Sequence, residues 1–382
     1  MAVPSIVQFN FPTLIRFGAG AVDELGDYLK AKNISHPLLV TDPLVVQLDF
    51  TQRIIREVRQ KGISVSVFSD IHRNPVKSDV IKGRNAYDGH TCDAIVGLGG
   101  GAAIDVARAI ALSIHHREDL FTYDDLIGGD VLVVHHVPPF VAIPTTSGTG
   151  SEVGRSAIIA EDETLRKRIL FSPKLMAEVV FADPLLTLEL PPSVTAATGM
   201  DALTHNMEAF LAKMDHPICE GIALEGMRLI ASSLEKAVLR PDLGARSDML
   251  LASMMGAIAF QKGLGVVHSL AHPLSSLLDT HHGLANAVNL PYGMAFNADA
   301  CSAKFHRMAH TLDLPGNDAN AVLDWIRQLN ESIGIPSKLR ELGVMEQHLD
   351  DLTDMALADF AHPNNPIPLT RSAFYQLYRQ AL

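Results

Sequence analysis

The chain has 382 residues, 47% hydrophobic and 19% charged, which is more apolar material than one ordinary core needs and suits two domains. The net charge of −12 argues against nucleic-acid or anionic-membrane partners, and no window approaches the roughly 18 apolar residues of a membrane span. The start lacks signal-peptide features, and three distant cysteines form no disulfide or zinc pattern, so we expect a cytoplasmic protein.

The first half of the chain alternates short apolar runs with amphipathic patterns. Strands are predicted at 14–17, 37–41, 63–68, 94–98 and 140–143, and helices at 22–31, 51–61, 78–89 and 102–113. This β-α-β-α order predicts a parallel, Rossmann-like sheet with helices on both faces. Ligands of such folds bind at the carboxyl ends of the strands, so the segments that follow the strands are the first candidates for a site.

The fourth strand runs into three consecutive glycines, Gly99 to Gly101, and then into a helical pattern. Glycines let the backbone approach a ligand closely, and a helix N-terminus offers N–H groups and a positive dipole end to a diphosphate. The spacing matches the dinucleotide fingerprint only loosely, and the best acidic candidate is Asp42, after an earlier strand. A tight turn without a ligand is the alternative, with Asp105 only complementing the helix dipole.

A hydroxyl-rich loop, PTTSGTGSEV at 144–153, follows the fifth strand. Thr145, Thr146, Ser147 and Thr149 are short donors that can surround a phosphate, a ribose or an amide. A polar turn without a ligand is the alternative, but the position at the carboxyl end of a strand favours binding.

The pattern changes after a hairpin turning at 161–164 and a last strand within 177–184. Lys167, on the returning hairpin strand, is either a site residue or an ordinary solvated charge. Ser193 is a candidate N-cap, and from there helices are predicted at 194–213, 219–238, 245–261, 268–278, 283–298, 321–333 and 372–382. We therefore expect an α/β domain at 1–185 and an all-helical domain at 186–382.

Two pairs with i, i+4 spacing in the helical half predict a metal site. Asp201 and His205 share one helix face, His268 and His272 share another, and two histidines follow at 281–282. A carboxylate with imidazoles suits Fe²⁺ or Zn²⁺ better than Mg²⁺ or Ca²⁺. Each pair alone is more often a core histidine or a surface contact than a metal site, and it is the two pairs together with His282 that favour a metal. Spacing does not decide between His281 and His282.

Four segments, in order, resemble the signature segments of the iron-containing (group III) alcohol dehydrogenases. They are GGGAAID at 99–105, PTTSGTGSEV at 144–153, ATGMDALTH at 197–205 and GVVHSLAHPLSSLLDTHHGLANAVNLPYGMAFN at 265–297. The resemblance covers nearly the whole chain and implies the dehydroquinate synthase-like two-domain scaffold. It implies an enzyme, expected to be a homodimer, that transfers a hydride between a small alcohol or diol, or its aldehyde, and NAD. The implied metal is Fe²⁺, and the same ligands suit Zn²⁺.

The resemblance also implies roles for individual residues. The metal ligands it implies are Asp201, His205, His268 and His282. His282 is chosen over His281 because it directly precedes Gly283, as in the family pattern. His272 matches a position near the nicotinamide and substrate, where it is expected to relay a proton. The residues expected to line the cofactor cleft are Asp42, Gly99, Gly100, Gly101, Asp105, Thr145, Thr146, Ser147, Thr149 and Lys167. Asp42 matches the position facing the adenosine ribose, where a carboxylate favours NAD over NADP.

Two departures from the family pattern bear on the diphosphate and on the substrate. Ala102 replaces a common serine and so removes a hydroxyl near the diphosphate, where backbone donors suffice. Tyr292 replaces a common histidine at the substrate end of the pocket, so no specific substrate is carried over.

Three other functions are alternatives to the alcohol dehydrogenase hypothesis. A dehydroquinate synthase-like lyase needs several basic residues near the histidines, and the candidates are Lys262, Lys213 and Arg228. Relatives of maleylacetate reductase commonly lack the full metal set. A non-enzymatic nucleotide or metal binder is the third alternative.

Overall fold

The computed structural model describes residues 13–382, which form two compact units. One contains Thr13–Pro191 and Pro241–Leu250, and the other contains Pro192–Arg240 and Leu251–Leu382. The expectation that the chain start carries no signal peptide concerns residues outside the described range. Between residues 13 and 382 no single helix is long and apolar enough to cross a membrane, and one bent pair, Leu243–Lys262 with Val266–Leu278, passes by length and composition only.

The first unit is built on a six-stranded, fully parallel sheet with the strand order β1-β8-β5-β4-β2-β3. Its strands are β1 (Leu14–Phe17), β2 (Pro37–Val40), β3 (Ser66–Phe68), β4 (Ala94–Gly99), β5 (Phe140–Pro144) and β8 (Val179–Ala182), and β6 (Ser156–Ala160) and β7 (Lys167–Phe171) form an antiparallel hairpin. The helices are α1 (Leu25–Ala31), α2 (Asp49–Gln60), α3 (Lys77–Gly89) and α4 (Gly101–His115). Every residue of β2, β4, β5 and β8 is buried, as expected for a parallel sheet with both faces covered. The α/β prediction is confirmed.

The second unit contains helices joined by turns and loops, with no strand among its described residues. Its helices are α5 (Pro192–Leu211), α6 (Pro217–Leu239), α7 (Leu243–Ala259, whose first residues group with the first unit), α8 (Val266–Leu278), α9 (His282–Asn297), α10 (Ser302–Thr311), α11 (Ala319–Ser332), α12 (Leu349–Leu357) and α13 (Arg371–Ala381). Helix α5 is central, since all its residues from Thr195 to Leu211 are buried. Sequence patterning missed α10 and α12. They have only ten and nine residues, too few for a convincing 3.6-residue period.

The chain leaves the first unit later than residue 185, where the sequence placed the boundary. Asp183 caps the short turn Pro184–Thr187 by accepting a hydrogen bond from the Leu185 N–H, and Leu186 belongs to the core of the sheet. The compact units therefore divide at Pro191–Pro192. Pro241–Leu250 rejoins the first unit, in which the Arg246 guanidinium donates to the Leu190 carbonyl.

Candidate metal centre and dinucleotide loop

All four predicted metal ligands converge in the helical unit. Asp201 and His205 lie on α5, His268 on α8 and His282 at the start of α9. One ligand atom from each residue lies within 4.8 Å of those from the other three, and the first three side chains are buried. Gly283 permits this approach of α9 to α5, because a Cβ at this position would lie 2.3 Å from the Ala197 carbonyl oxygen. The donor set of one carboxylate and three imidazoles fits a divalent transition metal.

The orientation of His268 is set by Glu208, a residue that sequence reasoning missed. The His268 Nδ1–H donates to Glu208 Oε2 over 2.6 Å, so the Nε2 lone pair is left for the cluster. Glu208 Oε1 also accepts the Val267 N–H at 2.6 Å, at the N-terminus of α8. Such carboxylate–histidine pairs commonly orient metal-binding imidazoles. Glu208 lies three residues after His205, and this helical spacing was a usable signal.

A second missed residue, Asn286, contacts the cluster directly. It lies one turn after His282 on α9 and is fully buried. Its Nδ2 donates to Asp201 Oδ1 over 2.7 Å and lies 3.3 Å from His268 Nε2 and 3.1 Å from His282 Nε2. Two residues outside the ligand set therefore hydrogen-bond to ligand residues: Glu208 to His268 and Asn286 to Asp201.

His272 lies beside the cluster, one turn after His268. Its ring stacks on that of His282 with 5.3 Å between centroids, and its Nδ1 is 2.7 Å from Asp359 Oδ2. Burial alone would raise the Asp359 pKa. The charge of His272 and the hydrogen bonds from His272, the Ser269 hydroxyl and the Ala361 N–H outweigh burial, so the Asp359 pKa lies below its ordinary value. Asp359 is therefore an ionised acceptor that holds the proton of His272 on Nδ1. No sequence spacing pointed to Asp359.

Two residues left open by the sequence lie outside the cluster. His281 is the residue before α9 and does not belong to the group of four ligands. The Tyr292 hydroxyl donates to the Ser337 carbonyl over 3.3 Å, and the Lys338 ammonium lies over its ring.

In the α/β unit, the predicted glycine loop joins β4 to α4. Gly99 ends β4 with a φ of 150°, and α4 begins at Gly101. A Cβ on Gly101 would lie 2.7 Å from Thr149 Cγ2, and one on Gly100 would lie 3.3 Å from Thr146 Oγ1. The glycines therefore allow the hydroxyl-rich loop to pack against the N-terminus of α4, where N–H groups suit an anion.

The hydroxyl-rich loop is fixed to this position by several hydrogen bonds. The Thr145 N–H donates to the Gly99 carbonyl over 3.0 Å, and Thr149 Oγ1 accepts the Ser151 N–H. Thr145 and Ser147 are buried, and Ser147 Oγ has no hydrogen-bond partner within residues 13–382. A buried hydroxyl with spare hydrogen-bonding capacity fits a polar ligand.

Asp105 serves the protein's own loop. Its carboxylate accepts hydrogen bonds from the Ser151 hydroxyl, from the Ile158 N–H at 3.0 Å and from the buried Arg108 guanidinium at 3.2 Å. Lys167, the first residue of β7, lies near enough for its charge to lower the Asp105 pKa, although burial is the larger effect and raises it. Asp105 thus ties α4 to the hydroxyl-rich loop and to the hairpin.

Asp42 follows β2, directly after Thr41. Its Oδ1 accepts the N–H groups of Leu44 and Val45, both at 2.9 Å, which fixes the carboxylate. Its Oδ2 lies 3.6 Å from the position of a Cβ on Gly99, so this oxygen is directed at the glycine loop. Asp42 and the glycine loop therefore share the carboxyl edge of the sheet, where ligands of such folds bind.

Glu152, at the end of the hydroxyl-rich loop, is buried at a cost. Burial raises its pKa to about 7, against a backbone hydrogen bond and the Arg108 charge, which lower it. Because the folded pKa exceeds the ordinary value of 4.5, ionisation destabilises the fold increasingly between pH 4.5 and 7 and fully above pH 7.

Replacing Glu152 by glutamine is expected to stabilise the protein above pH 7 by about 3 kcal/mol and to have little effect below pH 4.5. Calorimetric melting temperatures at pH 4.5 and pH 8 measure this, with an expected rise on the order of 5 °C at pH 8 only. Exposed Glu163→Gln is the matched control. An equal gain at both pH values would contradict the argument from ionisation.

The basic residues that a lyase would need have their cationic groups bonded elsewhere. The buried Lys262 ammonium donates to the Phe210 carbonyl and to Glu220, and burial lowers its pKa to about 8. The Lys213 ammonium donates to the Pro363 carbonyl, and Arg228 pairs with Glu225.

Comparison with known proteins gives a consistent result for both units. Residues 12–184 match the family model described as iron-containing alcohol dehydrogenase, and residues 195–382 match that of the Fe-containing alcohol dehydrogenase family, C-terminal. The chain is 39% identical over 380 residues to a 4-hydroxybutyrate dehydrogenase from Cupriavidus necator, which covers 97% of this chain and 98% of the relative.

Solved structures extend the comparison. A 1,3-propanediol oxidoreductase superposes with a TM-score of 0.94 at 34% identity, covering 99% of this chain and all of the other. The sulfoacetaldehyde reductase of Bifidobacterium kashiwanohense, solved in complex with NAD⁺, superposes with a TM-score of 0.89 at 28% identity and 99% coverage of both chains.

Proposed function

Because the chain belongs to the iron-containing alcohol dehydrogenase family, we propose that it transfers a hydride between a small primary alcohol or diol, or the corresponding aldehyde, and NAD. The observation that carries the proposal is the convergence of one carboxylate and three imidazoles beside a fourth histidine, His272, that is hydrogen-bonded to Asp359. The relatives named for 4-hydroxybutyrate and 1,3-propanediol support short, terminally hydroxylated substrates.

The proposed metal ligands are Asp201, His205, His268 and His282. They would hold a divalent ion, Fe²⁺ or alternatively Zn²⁺, which would supply Lewis-acid polarisation of the substrate oxygen. The protein's part is to present the ligand atoms together, and the bond from His268 to Glu208 directs one imidazole Nε2 to the cluster.

We propose His272 as the proton acceptor in alcohol oxidation and the proton donor in aldehyde reduction. Asp359 holds the proton of His272 on Nδ1, so Nε2 carries the lone pair that accepts a proton. The His272 side chain is 12% exposed, which leaves it a route to solvent, and its stacking on His282 keeps it beside the proposed ligands.

The dinucleotide is proposed to bind at the carboxyl edge of the parallel sheet. NAD supplies the hydride chemistry, and the protein supplies position and charge. The glycine loop at 99–101 and the start of α4 would face the diphosphate, with Thr145, Thr146, Ser147 and Thr149 as short donors. The Asp42 carboxylate would accept hydrogen bonds from the ribose hydroxyls and would repel a 2′-phosphate, which favours NAD over NADP. Asp105 and Lys167 would act by holding the loop, given the bonds that Asp105 makes inside the protein.

The bonding of the basic residues disfavours the lyase alternative. A phosphorylated, carboxylated substrate needs free cations near the metal, and Lys262, Lys213 and Arg228 already donate to carbonyls or carboxylates of the protein. The homodimer and the cytoplasmic location stay predictions from the sequence.

The test is an NADH-absorbance assay on anaerobically purified protein whose metal content is measured in parallel. Primary alcohols and diols of two to six carbons, including 1,3-propanediol and 4-hydroxybutyrate, are offered with NAD or NADP, before and after chelation. We expect NAD-dependent turnover that chelation abolishes and that Fe²⁺ or Zn²⁺ restores. Absence of turnover with every metal and alcohol, and with the matching aldehydes and NADH, would instead support a non-enzymatic binder.

A further inference from the structure

Asn286 bonds differently from three other buried asparagines of its unit. The side-chain amides of Asn206, Asn289 and Asn330 donate to backbone carbonyls. Asn286 instead places one nitrogen 2.7 to 3.3 Å from Asp201 Oδ1, His268 Nε2 and His282 Nε2. These are atoms of three of the four residues in the ligand group, contributed by α5, α8 and α9.

The contact with Asp201 decides which side of the amide faces the cluster. A carboxylate oxygen only accepts hydrogen bonds, so the group 2.7 Å away must be the amide N–H and not the carbonyl oxygen. The hydrogen bond limits rotation of the Asp201 carboxylate, whose other lone pairs stay available to an ion. An ion would need the Nε2 lone pairs of His268 and His282, so the holding effect is assigned to Asp201 alone. Ligands held in this way lose less conformational freedom when an ion binds.

We propose that Asn286 is a positioning residue of the metal site, which raises metal affinity by holding the Asp201 carboxylate in its binding arrangement. The inference rests on the metal site proposed above. Residues that hydrogen-bond to metal ligands typically contribute 10- to 100-fold to metal affinity. A purely structural asparagine would affect the stability of the fold without changing the affinity of the folded protein for metal.

The test measures metal dissociation constants of the full-length, chelator-stripped protein. Zn²⁺ affinity is obtained by competition with a chromophoric chelator, and Co²⁺ loading is followed by visible absorption, which reports ligand geometry independently of turnover. Asn286→Leu removes the N–H but keeps the branching at the γ position with a somewhat larger side chain, and the smaller Asn286→Ala cannot clash. Asn289→Ala is the matched control, because Asn289 is equally buried on the same helix and donates only to the Ala285 carbonyl.

We expect both Asn286 variants to bind Zn²⁺ about 10- to 100-fold more weakly and to show an altered Co²⁺ spectrum, with Asn289→Ala within about twofold of the parent protein. Zn²⁺ affinity and a Co²⁺ spectrum unchanged in Asn286→Ala would overturn the proposal. An equal loss in Asn289→Ala would overturn it too, since the effect would then be general to α9. If the parent protein itself bound neither ion, the metal site would be wrong, which is a separate failure.

Discussion

Replacing His282 by alanine is expected to lower kcat at least about 10³-fold, while His281→Ala keeps kcat within about threefold of the parent enzyme. His282 belongs to the group whose ligand atoms lie within 4.8 Å, and His281 does not. Loss of one of four ligands weakens metal binding and the Lewis-acid contribution, which is worth several kcal/mol. Steady-state kinetics and metal content of both variants measure this difference.

The two adjacent histidines control for each other. His281 precedes α9, and its side chain makes no capping hydrogen bond to that helix. Metal loss in His281→Ala with metal retained in His282→Ala would show that the ligand choice carried over from the family pattern is wrong. Equal effects of both would indicate disruption of the start of α9.

Asp359→Asn is expected to lower kcat by about 10²- to 10⁴-fold with little change in metal content. The Ala361 N–H and the Ser269 hydroxyl donate to Asp359 Oδ1, so the asparagine must keep its carbonyl oxygen there and turn its NH₂ group to His272. His272 Nδ1 then becomes the acceptor, and the proton moves to Nε2, which can no longer accept one. Kinetics over a range of pH, with elemental analysis of the same samples, provide the measurement.

Asp354→Asn is the matched control, because Asp354 lies on α12 and pairs with Arg371 on the surface. This variant should turn over like the parent enzyme, since exposed ion pairs contribute little. A kcat of Asp359→Asn within about threefold of the parent would mean that His272 does not transfer the proton in the rate-limiting step, or that another group does.

Local patterns were sufficient for most of the secondary structure. Both faces of a parallel sheet are covered, so its buried strands are apolar throughout, as in Pro37–Val40, Ala94–Gly99 and Phe140–Pro144. Such continuous apolar runs can be recognised from the sequence alone. The strand predicted at 63–68 was too long: only Ser66–Phe68 forms β3. β3 lies at the end of the sheet, where alternating polar residues blur the boundary.

The domain boundary depended on tertiary packing. The sequence pattern of strands and helices ends near the turn Pro184–Thr187, but Leu186 in this turn is buried in the core of the first unit. A hydrophobic residue in a turn does not reveal from sequence which core it enters, so the boundary at residue 185 stays a prediction beside the compact units that divide at Pro191–Pro192.

The sequence by itself determined which side chains share a helix face. Asp201, His205 and Glu208 fall on one face of α5, and His268 and His272 on one face of α8, because helix geometry is a local property of the chain. The choice of metal ligands came from family resemblance added to that spacing.

Only the tertiary structure decided the partners of those faces. Glu208 meets His268 across 60 positions, Asn286 meets Asp201 across 85, and Asp359 meets His272 across 87. Two of these pairs join packed helices and the third joins α8 to the segment that follows α12, and no local periodicity encodes which segments pack together. The sequence thus predicted the residues that are proposed to bind a metal and move a proton, and the packing of α5, α8, α9 and the segment after α12 selected the residues that hold them in place.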